Sequence, residues 1–220
     1  MSFTEERRTA IQKYMLDKIR SDDPDFIRKT ADNFEISETS VRRYIRTCLD
    51  NNYIYEESSR NTGFCLKTVS RQWQAGNDGT LEEDTMFWQN VAPVLEALSD
   101  NVRDIWYYTF TEIMNNAIEH SKGSRITYTI QKDILYTEIS VADNGIGVFR
   151  NIQHYLKEKS GVTLDTAQAA LELYKGRMTT DPVRHSGEGI FFSSKMLAEF
   201  ALWSDNTVYS WHCSDRDRFV

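Results

Sequence analysis

Apolar positions in the first third of the chain recur at helical spacing. Within residues 4–20, Ile11, Met15, Leu16 and Ile19 form one stripe between charged neighbours, the pattern of an amphipathic helix. Asp22-Asp23-Pro24-Asp25 stops that helix and opens another, because proline fits a first helical turn but not an interior one. Residues 25–34 predict a short second helix with Phe26, Ile27, Ala31 and Phe34 inward. Ser37 is suited to cap a third, over 38–51, that turns Val41, Ile45, Cys48 and Leu49 inward. Asn51-Asn52 can end it in left-handed backbone. Tyr53-Ile54-Tyr55 and Phe64-Cys65-Leu66 then flank the polar turn EESSRNTG, which reads as a β-hairpin. Residues 68–80 hold two glycines and few apolar side chains and read as a linker. After Leu81 the helical period returns in Phe87, Trp88, Val91, Val94, Leu95 and Leu98, with Pro93 as a kink or a restart. Residues 101–121 predict a longer helix. Residues 125–130 and 135–142 predict strands joined by Gln131-Lys132-Asp133. Residues 151–184 are polar and mixed, with one helical piece over 166–174. Residues 188–200 read as helix, and Trp203 and 208–213 as final strands.

The 220 residues suit one large domain or two small ones, and 40% hydrophobic residues can supply a packed core. Cys48, Cys65 and Cys213 are odd in number and lack a CxxC spacing, against a disulfide framework or a zinc site and in keeping with a reducing cytoplasm. The N-terminus MSFTEERRTA lacks the apolar run of a signal peptide, and no stretch is apolar enough to predict a membrane span. The net charge of −7 is uneven. Residues 1–70 carry 12 Lys and Arg against 12 Asp and Glu, whereas residues 71–220 carry 14 against 21. That acidity disfavours a general nucleic-acid coat but not a local basic patch in the first third.

Three helices followed by a small hairpin describe a winged helix-turn-helix. Residues 36–55, ISETSVRRYIRTCLDNNYIY, resemble the recognition helix and wing entry of many bacterial transcription regulators. The resemblance implies glycine where Asn52 stands, and asparagine tolerates the same positive φ. Arg42, Arg43 and Arg46 lie on the third helix, and part of that set must face outward. Two uses are open: contact with DNA phosphates or base edges, or a solvated face of a domain that binds protein.

The stretch Thr111–Ser121, TEIMNNAIEHS, is unusual for a core helix because it carries two carboxylates, two amides and an imidazole. Residues four apart share a helical face, so Glu112, Asn116 and His120 form one stripe. The sequence Ala142-Asp143-Asn144-Gly145-Ile146-Gly147 follows directly on a strand, and Arg184-His185-Ser186-Gly187-Glu188-Gly189-Ile190 opens a helix. Together and in this order they resemble the ATP-binding domain of the GHKL superfamily, which includes gyrase-type, chaperone-type, histidine-kinase-type and mismatch-repair ATPases and the anti-sigma-factor serine kinases. Glu112 to Asn116 matches its N box, Asp143 to Gly147 its first glycine box, and Gly187 to Gly189 its second.

The resemblance implies an α+β chain: a winged helix-turn-helix over 1–70, a linker over 71–84, and over 85–220 a GHKL α/β sandwich, a mixed sheet covered by helices on one face. It implies ATP and Mg²⁺ as ligands. Asn116 would be the Mg²⁺ ligand. Glu112 would orient or deprotonate the attacking water, or assist another acceptor. Asp143 would accept the adenine amino proton, and Gly145 and Gly147 would let the backbone approach the base. Gly187 and Gly189 would aim N–H groups at phosphates, aided by the start of the following helix. His120 stands open between a phosphate or ribose contact and a structural role, and Asn115, turned away from that stripe, is read as structural. Lys175, Arg177 and Arg184 fall in the segment that forms the ATP lid in this superfamily.

No histidine precedes His120, so self-phosphorylation on an upstream histidine within these 220 residues is not expected. The tail Asp215 to Val220 ends abruptly, as a chain cut before a last strand or another domain would. Three functions are open. The first is a cytoplasmic regulator in which nucleotide state controls DNA or protein binding by the winged helix. The second is an anti-sigma-type serine/threonine kinase acting on a separate partner, and the third a plain ATPase. A homodimer would suit paired DNA half-sites.

Overall fold

The computed structural model describes residues 3–175 and 188–212. Contacts divide the chain into two units. One comprises Met1–Arg71 and Ile130–Glu138, the other Gln72–Thr129 and Ile139–Val220.

In the first unit, helix α1 (Glu5–Arg20) starts at Thr4, whose side chain accepts the Arg7 N–H. It buries Ile11, Met15, Leu16 and Ile19, the stripe read from the sequence. Helix α2 (Phe26–Phe34) ends at Glu35, which takes left-handed backbone at φ 52°. Helix α3 (Glu38–Asp50) is capped by Ser37, and Asn52 turns the chain at φ 57°, as the sequence suggested. Strands β1 (Ile54–Glu56) and β2 (Phe64–Leu66) form the expected antiparallel hairpin, pairing Ile54 with Leu66 and Glu56 with Phe64. One core joins these elements through Met15, Leu16, Ile19, Phe26, Ala31, Val41, Ile45, Cys48, Ile54 and Leu66. Each large aliphatic chain buried there contributes about 1.5–3 kcal/mol of transfer free energy. Leu135 packs on this core, and the Tyr136 hydroxyl donates to Asp17 at 3.1 Å.

In the sequence, residues 68–80 read as a linker. The structure instead has strand β3 (Val69–Gly76) there, bonded to β4 (Arg125–Lys132), which in turn bonds to β5 (Thr137–Asp143). Most of β3 is exposed, so it shows no alternating apolar signal. In the second unit, α4 (Glu83–Met86) runs into a π-helical turn (Phe87–Val91) and then α5 (Ala92–Leu95). The widened turn comes just before Pro93, which cannot donate to the helical ladder. Phe87, Val91 and Leu95 are buried, while Trp88, expected on the same apolar run, is exposed.

Helix α6 (Asp100–His120) buries Trp106, Phe110, Met114 and Ala117. Phe110 packs edge-on against Tyr128 of β4, which stacks on Trp73 of β3 at 5.3 Å between centroids. Helix α7 (Val148–Ser160), unpredicted, starts at Gly147 and stops at Gly161; α8 (Thr166–Tyr174) stands where expected. Helix α9 (Gly189–Met196) is shorter than predicted, because residues 199–204 belong to strand β6 (Glu199–Ser204), paired antiparallel with β7 (Thr207–His212). Phe149, Ile152, Ala169, Leu173 and Tyr209 close a core between α7, α8 and this hairpin. Helices and antiparallel pairs make the chain α+β. A mixed sheet was expected within 85–220; among the described residues β4 and β5 bond in one group with β3, and β6 bonds with β7 in another.

Candidate functional site

Helix α6 sets the stripe. Its residues Glu112, Asn116 and His120 are all partly buried. The Asn116 side-chain nitrogen donates to the Glu112 carbonyl at 2.7 Å. That fixes the amide and leaves Oδ1 as the atom a hard cation could take. Asn115 is also partly buried. Tyr108, one turn before Glu112 on the same face, was missed in the sequence. Its hydroxyl is pushed above its ordinary range, first by burial and then by the carboxylates of Glu112 and Glu188. The i−4 spacing from Glu112 was a signal that could have identified it.

Helix α9 brings the second glycine motif to this stripe. A methyl group on Gly189 would collide with the Glu112 carboxylate, so the first residue of α9 lies directly on that side chain. The first turn of α9 has no side-chain cap. Its N–H groups and positive end therefore favour negative charge. Gly187, Arg177 and Arg184 lie outside the described residues. Lys175 is engaged with Glu172 at 2.6 Å.

The Asp143 loop comes to the C-terminal end of the same helix. Asp143 is exposed, and its Oδ1 accepts the Gly145 N–H at 2.8 Å. The Ile146 N–H donates to the Ser121 carbonyl at 2.9 Å. A Cβ on Gly145 would strike that carbonyl, and one on Gly147, at φ 85°, would strike the Ser204 hydroxyl. These glycines are thus required by close contacts inside the chain, not only by the approach of a base as the sequence suggested. Asn144 braces the loop: its Oδ1 accepts the N–H groups of Ser124 and Arg125, each at 2.9 Å. His120 sits at the end of α6, where its carbonyl accepts from Asn151 at 3.3 Å.

Among the described residues no three His, Cys, Asp or Glu side chains form a metal cage. A cation here would depend on Asn116 Oδ1 and on oxygens brought by its own ligand, as Mg²⁺ commonly does. No described helix is long and apolar enough to cross a membrane. In the first unit, Arg42, Arg43 and Arg46 are all exposed on α3. Arg42 pairs with Glu38 at 3.3 Å.

Neither the curated proteins nor the solved structures contain a match to the chain. A family model does match, over the stretch that holds α6, the Asp143 loop and α9. The matched residues are 101–198, and the model is that of the histidine kinase-, DNA gyrase B- and HSP90-like ATPases.

Proposed function

We propose that the chain is an ATP- and Mg²⁺-binding regulator, in which nucleotide state governs what the first unit, a winged helix-turn-helix, holds. The observation that carries the nucleotide reading is the seating of Gly189 on Glu112. It gathers a carboxylate, an amide oxygen one turn away and an uncapped helix start around one place. An acidic domain cannot hold a triphosphate by net charge, so aimed N–H donors and a cation must do so. Bound Mg²⁺ would neutralise charge between phosphate oxygens. Asn116 Oδ1 would be its protein ligand. Glu112 orients the attacking water or accepts its proton. Asp143 offers its second oxygen to the adenine amino group, the first being held by Gly145. Gly187 and Gly189 supply N–H groups to phosphates, and His120 stands at the edge of the stripe as a further phosphate or ribose contact.

On the first unit, exposed Arg43 and Arg46 are the groups for DNA phosphates or base edges, and Arg42 joins them if it leaves Glu38. A homodimer would present two α3 helices to paired half-sites. Phosphoryl transfer to serine or threonine of a separate protein, or simple hydrolysis, would use the same groups of the second unit.

The test uses γ-labelled ATP with Mg²⁺ on wild type and Asn116→Ala, following released phosphate and labelled protein with cell extract present. Release or transfer lost in Asn116→Ala supports the site, and the destination of the label separates ATPase from kinase. A wild type that does not bind ATP sinks the reading. DNA affinity that is the same with and without ATP sinks the regulatory part alone.

A further inference from the structure

We propose that Asn77 is a positioning residue, which holds the helix-borne half of the nucleotide site at a set distance from its loop-borne half. The inference rests on the ATP reading above. Asn77 lies in the stretch 71–84 that the sequence marks as a linker, and it is partly buried. Its side-chain nitrogen donates both to the Ile118 carbonyl of α6, at 2.9 Å, and to the Gly123 carbonyl, at 3.2 Å. Its backbone N–H donates to the Ser124 carbonyl at 2.9 Å. One residue therefore grips the last turn of the helix and the loop beyond it.

That loop is the seat of the Asp143 motif. Ser121 takes the Ile146 N–H, while Ser124 and Arg125 give theirs to Asn144. Asn116 lies two residues before the Ile118 carbonyl that Asn77 holds, and Asp143 directly precedes the residue that braces the loop. Asn116 and Asp143 are the groups proposed for opposite ends of the same ligand, cation and phosphates at one end and base at the other. A ligand that engages both gains from their fixed spacing, because the second contact is made without further ordering. The helix-end carbonyls would also be unsatisfied without such partners. A short amide fits the task, since it carries two donor hydrogens on one nitrogen.

The experiment compares binding of ATP with Mg²⁺ and of adenosine alone, by calorimetry on the full chain, for wild type, Asn77→Ala and Asn77→Asp. Adenosine carries no phosphate and no cation and so makes none of the Asn116 contacts, and loss of spacing weakens ATP and spares adenosine. The expected result is a fall of about ten-fold or more in ATP affinity with adenosine nearly unchanged, in both variants. Gln153→Ala, which removes a side-chain hydrogen bond donated to the Leu164 carbonyl elsewhere in the same unit, should leave the ratio of the two affinities as in wild type. If one Asn77 variant fails to fold, the other decides. An unchanged ratio in a folded Asn77 variant, including an equal loss for both ligands, overturns the proposal while the ATP reading stands. A wild type that binds neither ligand overturns both.

Discussion

Helices α3 and α6 are both amphipathic, but their ends are closed in different ways. Helix α3 closes on itself: the Ser37 hydroxyl takes the Ser40 N–H, and the carbonyls of Thr47, Cys48 and Leu49 are taken by the N–H groups of Asn51, Tyr53 and Asn52. Helix α6 ends on distant parts of the chain. The carbonyls of Ile118, His120 and Ser121 are taken by Asn77, Asn151 and Ile146. A helix that only presents a face can be finished by its neighbours in sequence. A helix whose last turns carry a site must also be registered against the loop that completes it, and only remote partners can do that.

The comparison can be broken most severely through the core beneath α3. Ile45→Ala should cost about 2–5 kcal/mol, read by denaturant unfolding of the full chain, since Ile45 is buried among side chains of all three helices. A cost below about 1 kcal/mol would mean that α3 is not anchored through this face. At the end of α6 the expected effect is smaller in stability but larger in function. Gly145→Ala should cost about 1–3 kcal/mol, because the new methyl must displace the Ser121 carbonyl, and ATP affinity should fall with it. Gly76→Ala, in open space on β3, is the matched control and should stay within about 0.5 kcal/mol of wild type.

The cap of α3 offers a finer test. Ser37→Ala should cost about 1 kcal/mol, seen as a lower Tm, with nucleotide binding untouched. The smallest effect is absent at neutral pH. Burial pushes the Cys48 thiol up to about 11. A thiol raised in the folded state stabilises fully below its unfolded value of about 8.5, and that stability is lost as pH rises from there through 11. Denaturation series at rising pH should show wild type losing more stability over this window than Cys48→Val. Equal losses would show that Cys48 is not sealed in the core.

Legibility followed the same division. The limits of α1, α2 and α3 were read to within about a residue, because each has its own breaker or cap: Asp22-Asp23-Pro24, Ser37, Asn52. Helix α7 was missed although Gly147 and Gly161 bound it, since only Phe149 and Ile152 are buried and the rest reads as a polar segment. Strand β3 was missed because most of its side chains are exposed, and the backbone bonds that pair it with β4 leave no mark on side-chain type. In the candidate site the helical stripe of Glu112 and Asn116 was visible, being periodic. Tyr108 was not singled out, and Asn77 had no signal at all, for its partners are carbonyls of residues 41 and 46 positions away.

Taken by itself, the sequence determined which elements form in the first unit and which residues line one face of α6. These follow from local backbone preference and from the period of apolar side chains, whereas Gly145, Gly147 and Gly189 were marked by a family resemblance. Tertiary structure alone decided why those glycines are needed, that Gly189 rests on Glu112, and that an asparagine from an apparent linker holds the end of α6. Each of these depends on a backbone group meeting a remote atom at close range, and any residue type offers the same carbonyl and, proline apart, the same N–H.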